Sequence, residues 1–279
     1  MMKTRIITSI VAICVLLPAL YFSGTVAFCV DVAAVTVICI AEMTKCIGAN
    51  KLYISAPLYI FGAVSPFMLR YMENLYHYAT IAFICGAFYL MYLFTLAITS
   101  HGRIKFSDAA TVFTVSVYII AALNSIIYIR DFGEVGKYIY LLIFLGAWIT
   151  DIFAYFTGVF FGKHKLIPDV SPKKTVEGSI GGTFFCAISF VVLGIVTDAF
   201  FETEANLIFL AVGGVIAALI AQIGDLIMSV IKRHYGIKDY GKLFPGHGGM
   251  LDRFDSVLAV SLCIAMMCMF ASVTGINIL

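Results

Sequence analysis

Between Ser229 and Asp255 an otherwise apolar chain carries five basic residues, three aspartates and two histidines around a Pro-Gly-His-Gly-Gly turn. Lys232, Arg233, Lys238 and Lys242 are suited to phosphate oxygens, which arginine grips bidentately. Asp239, Asp252 and Asp255 are hard oxygen donors of the kind Mg2+ takes. Gly246, Gly248 and Gly249 let backbone N–H groups come close to an anion. Together these are the groups a polyphosphate and its metal ions need. A loop that only orients a membrane protein needs its cations, but has no use for three carboxylates among them.

Two further clusters stand near this stretch in chemistry. The first is Ser171-Pro172-Lys173-Lys174-Thr175, followed by Glu177-Gly178 and a Gly-rich helix start. Free N–H groups and the helix dipole favour anions at such a start. The second is Asp225, spaced on a helix so that it shares one face with Ser229 and then Lys232 or Arg233. Asp151 lies inside an apolar run, where an ionisable group is a functional candidate by default. Asp252 and Asp255, three apart, can face one cation or cap a helix, and the two roles are compatible. Glu42 stands beside Lys45 and reads as an interfacial ion pair. Asp31 reads as solvated near the outer surface. Neither His234 nor His247 is assigned a proton-transfer role.

The order Ser-x-x-Lys-Arg, four residues, Lys-Asp, five residues, Pro-Gly-His-Gly-Gly, two residues, Asp-Arg-x-Asp fills Ser229 to Asp255 without a gap. It resembles the signature of the phosphatidate cytidylyltransferases, or CDP-diacylglycerol synthases. The Ser171–Gly178 element looks like a second feature of that family. The specific likeness covers the C-terminal half, and the first half agrees only in hydropathy. The resemblance implies that CTP and phosphatidate give CDP-diacylglycerol and pyrophosphate, with Mg2+ as one or two cations per site. It implies Asp225, Asp239, Asp252 and Asp255 as the pool of metal ligands. Lys232, Arg233 and Lys238, with Lys173, Lys174 and Arg253, would hold phosphates. Ser171, Thr175, Ser229, Asp151, Gly246, His247, Gly248 and Gly249 would line the substrate site. Membrane lipids and a second copy in a homodimer are expected partners, and nucleic acid is not. Rival readings are a CTP-dependent polyprenol or phytol kinase and a cytidylyltransferase for ether-linked lipids. A transporter fits poorly, because its repeats and broken helices would recur in both halves.

These groups need a scaffold. The chain has 279 residues, 62% hydrophobic and only 12% charged, against about 25% charged in a soluble domain. Its mean hydropathy is +1.03. Runs of about 20 apolar residues predict an all-α polytopic membrane protein of about nine spans: 6–22, 25–43, 53–69, 79–99, 109–128, 138–161, 179–199, 206–230 and 256–277. With the N-terminus inside, the inner segments hold fifteen Lys and Arg and the outer ones three, a strong positive-inside bias. The C-terminus is then outside, and loops 162–178 and 231–255 face the cytoplasm. Residues 1–130 are expected to form a scaffold of about five helices. Residues 131–279 are expected to form a catalytic domain of about four, in the inner membrane of a bacterium. The eight cysteines form no Cys-x-x-Cys pair and suggest neither a zinc site nor a disulfide framework.

Overall fold

A computed structural model describes residue 14 and residues 17–72, 74–101, 103–168, 170–246 and 248–279. Among these, eight helices are long and apolar enough to cross a membrane: α1 Val26–Ile47, α2 Leu52–Tyr71, α3 Leu75–Thr99, α4 Phe106–Arg130, α5 Gly136–Phe161, α6 Val176–Phe201, α7 Leu207–His234 and α8 Leu251–Thr274. Each matches an expected run to within a few residues. The first expected span, 6–22, falls largely outside the described residues. The protein is an all-α polytopic membrane protein with one addition. Between α5 and α6, strands β1 Lys165–Ile167 and β2 Ser171–Thr175 pair antiparallel as a hairpin.

Local chemistry fixes the helix ends. Gly48 closes α1 with φ 77°, and the N–H groups of Gly48 and Ala49 return to the carbonyls of Lys45 and Thr44. This is the usual device for satisfying orphan carbonyls at a C-terminus. Asn74 and Asn206 cap α3 and α7 by accepting from the N–H groups of Tyr76 and Phe209.

The chain divides into two compact units, Met1–Ile127 with Ile237–Asp252 and Tyr128–Gly236 with Arg253–Leu279. In the first, α1 and α2 approach closely at Gly62. A Cβ there would come within 3.0 Å of the Ile40 side chain and 3.1 Å of Thr36. Asn124 of α4 donates to Ser65 of α2 at 2.8 Å and to the Tyr78 hydroxyl of α3 at 3.1 Å. Between membrane helices, small residues allow contact and buried polar groups find partners on neighbouring helices.

The second unit uses the same device more heavily. Gly146 of α5 packs among Phe190, Ala217 and Val260. Gly182 of α6 faces Thr150 and Ala154, and Gly214 of α7 faces Ala187. Helix α5 is irregular: a π-helical turn at Leu145–Ile149 precedes the regular α-helix from Thr150 to Phe161. Such a turn inserts one residue and rotates the helix beyond it. Asp151 stands in the first regular turn after this insertion, so the rotation sets its direction.

Candidate active site

The second unit gathers charge around the start of α8. The route begins at the hairpin. The Thr175 hydroxyl, buried, accepts from the Gly178 N–H at 3.1 Å and caps α6. Gly158, Gly162 and Gly178 crowd that hydroxyl so closely that a Cβ on any of them would strike it. On the other side Glu177 accepts from the His164 backbone N–H at 3.3 Å and meets its Nδ1 at 2.7 Å. The hairpin is thus clasped to the first turn of α6, which fixes where Lys174 projects.

Lys174 forms an ion pair with Asp225 of α7. The carboxyl of Asp225 meets that of Asp255 on α8 at hydrogen-bonding range. Gly224 makes this approach possible, since a Cβ there would collide with Ala259 and lie 3.1 Å from the Asp255 carbonyl. Asp151 accepts from the Ser256 hydroxyl at 3.2 Å. It also lies within electrostatic reach of Asp225, Lys174 and Arg253. Three carboxylates therefore converge here with one lysine in contact.

Among the described residues no three His, Cys, Asp or Glu side chains form a ready-made metal cage. That does not argue against Mg2+, which takes one or two carboxylates and fills its octahedron with water and substrate phosphates. The Asp225–Asp255 pair fits that pattern. Two carboxyls in contact repel unless a cation or a shared proton offsets their charge.

The first unit holds the signature loop, Ile237–Asp252. Gly246 and Gly248 have φ values of 83° and 88°, which a side chain would strain. The Phe244 N–H returns to the Gly248 carbonyl at 2.9 Å and closes the turn. Asp252 is only 7% exposed. Its Oδ2 accepts from the Tyr240 and Gly249 N–H groups at 2.8 and 2.9 Å. Glu42 of α1 accepts from the Met250 and Leu251 N–H groups at 3.0 and 2.8 Å. The N–H groups of Gly249, Met250 and Leu251 are therefore directed at the protein's own carboxylates.

The model of the "Cytidylyltransferase family" matches residues 3–271. The chain belongs to that family. Its relatives include a "Phosphatidate cytidylyltransferase" of Staphylococcus haemolyticus, 34% identical over 263 residues, or 93% of this chain and 96% of the relative. Proteins of the same description from Staphylococcus epidermidis and Staphylococcus aureus are each 31% identical, over 264 and 261 residues, with the same two coverages. The enzyme is a nucleotidyltransferase.

Measured against the expected site, this cytidylyltransferase brings Lys174, Asp225, Asp255, Asp151 and Arg253 into one cluster. Thr175 lies beside it, with its hydroxyl engaged in the helix cap. Ser171 and Lys173 stand on the same strand, Lys173 exposed. Ser229, Lys232 and Arg233 follow Asp225 along α7, Lys232 buried and Arg233 exposed. Lys238 and Asp239 are exposed in the signature loop, while Asp252 is buried within it. His247 lies outside the described residues. Two participants escaped the sequence reading. Ser256 carried no signal beyond following Asp255. Glu42 carried one, an acid inside a span, but Lys45 offered a nearer partner; the structure gives its carboxylate to the loop instead.

Proposed function

We propose that the enzyme joins CTP to phosphatidate, releasing pyrophosphate and forming CDP-diacylglycerol. The observation that carries this reading is the likeness, over 93% of the chain, to relatives described as phosphatidate cytidylyltransferases. An oxygen of the lipid phosphate attacks the α-phosphorus of CTP. The new P–O bond forms as the α–β anhydride breaks, and pyrophosphate leaves with the electron pair. The nucleophile is already an anion near neutral pH, so no strong general base is required. The obstacle is the meeting of two polyanions, which fixed charge and orientation overcome.

In this reading Asp225 and Asp255 hold Mg2+. When bound, the cation supplies charge neutralisation and Lewis acidity at phosphate oxygens. Lys174 balances the carboxylate pair and holds Asp225 in place. Lys173, Lys232, Arg233 and Arg253 bind the phosphates of CTP and lipid, and Ser171 and Ser229 line the same site; Lys238 of the signature loop is a further phosphate-binding candidate. Asp151, fixed by Ser256, orients the start of α8. Asp252 organises the signature loop.

Purified enzyme given labelled CTP, phosphatidate and Mg2+ is expected to yield a cytidylyl lipid and pyrophosphate. Formation of CDP and a newly phosphorylated lipid would replace this reading with a lipid kinase. Excess chelator is expected to abolish turnover and added Mg2+ or Mn2+ to restore it. Full turnover in chelator removes the metal from the reading.

The proposed site faces the cytoplasm of a bacterial inner membrane. Single cysteines placed in 162–178 and 231–255 of a Cys-less variant are expected to react with impermeant thiol reagents from the cytoplasmic side only. A cysteine at the C-terminus is expected to react from the opposite side. Labelling of the two loops from opposite faces overturns this topology.

A further inference from the structure

Glu42 of α1 reaches the signature loop, and no step of the proposed reaction uses it. Its two carboxylate oxygens divide the work: Oε1 accepts from Met250 and Oε2 from Leu251. Those N–H groups open α8, where orphan donors and the positive end of the helix dipole await an anion. Gly241 and Gly249 press against the same carboxylate, and a Cβ on either would collide with it. The fit is therefore two-sided, with donors in front and bare glycine backbone at the flanks. Asp252 secures the loop from within by binding Tyr240 and Gly249. Glu42 secures it from another helix.

We infer that Glu42 is a positioning residue for the cytidylyl-transfer reaction: it pins residues 249–251 and so fixes the backbone of the signature loop from which Asp252 projects. This rests on the proposed function, in which the signature loop that Glu42 holds carries substrate-binding groups. The carboxylate does so as a bidentate acceptor. Glutamine retains one accepting oxygen and turns an amide donor toward the second N–H. Alanine removes both acceptors and opens space beside Gly249.

Three measurements on the full-length protein in detergent test the inference. The first is amide hydrogen exchange without substrate. Met250 and Leu251 are expected to exchange at least about tenfold faster in Glu42→Ala and Glu42→Gln than in the wild type, with α3 and α6 unchanged. The second is kinetics at matched folded protein. Glu42→Ala is expected to lose roughly 30-fold or more in kcat, and Glu42→Gln to recover part of that loss. The third is the coupling between Glu42 and Gly249. Gly249→Ala is expected to cost more than about tenfold in turnover with Glu42 present, and less than about threefold further in the Glu42→Ala background, where the collision is gone.

Unchanged exchange at Met250 and Leu251 overturns the inference. So does wild-type kcat in folded Glu42→Ala, or an equal cost of Gly249→Ala in both backgrounds. A wild-type enzyme that forms no cytidylyl lipid sinks the proposed function instead, and the exchange arm still decides whether Glu42 holds the loop.

Discussion

Asp255→Asn is expected to insert and fold normally yet lose on the order of a hundredfold or more in turnover, the scale of removing a preorganised charge-stabilising group. The amide is nearly isosteric with the carboxyl it replaces, and its oxygen can still accept from the Ser256 N–H, now 2.8 Å from Oδ1. What disappears is the negative charge beside Asp225. A divalent ion shared between the two would lose a ligand, and the requirement for added Mg2+ should rise. Asp252→Asn provides the contrast. Its amide oxygen can keep an accepting role toward Tyr240 and Gly249, so its loss should be smaller and its metal requirement close to wild type. Activity should be compared at equal amounts of monodisperse protein. Wild-type turnover in Asp255→Asn would leave the Asp225–Asp255 pair without a catalytic role.

Lys174→Ala is the second large effect. It removes the cation paired with Asp225 and leaves Asp225 and Asp255 facing each other with nothing from the hairpin between them. Breaking one half of a partly shielded pair costs more than the pair itself contributes. Turnover should fall by about a hundredfold or more through lost phosphate binding and a disturbed metal site. The double variant Lys174→Ala/Asp225→Asn should be little worse than the poorer single one, because groups acting as one unit are non-additive. Losses that multiply independently would show that Lys174 and Asp225 work apart.

Hydropathy made the spans legible because a membrane helix must satisfy its backbone internally and present apolar side chains outward. Those demands are written residue by residue, so α1 to α8 can be read locally. The hairpin between α5 and α6 could not. Its strands contain Ser171-Pro172-Lys173-Lys174, which has neither alternation nor β-branched enrichment, and its register is held by the cap at Thr175 and the Glu177–His164 clasp. The π-helical turn before Asp151 was equally hidden, since nothing in Leu-Gly-Ala-Trp-Ile marks it.

The candidate site was legible in its membership and not in its pairings. Asp225 was placed by helical spacing on a face with Ser229, whereas its ion pair is with Lys174, contributed by the hairpin before α6. Sequence offered Lys45 to Glu42 because it stands three residues away. The actual donors, Met250 and Leu251, are backbone groups, which carry no side-chain signature at all. The turn glycines suggested an anion nest. The N–H of Gly249 serves Asp252, and those of the next two residues, Met250 and Leu251, serve Glu42.

The contact between Glu42 and Met250 spans 208 residues of sequence. A ribosome adding about 5–20 residues per second needs roughly 10–40 s to cover that distance. Helix α1 therefore enters the membrane long before the backbone it will hold has been made. Throughout that interval the nascent protein has the carboxylate of Glu42 and not yet the amides it binds. The hold on the loop forms only once α8 has emerged and its first amides reach a carboxylate made 208 residues earlier.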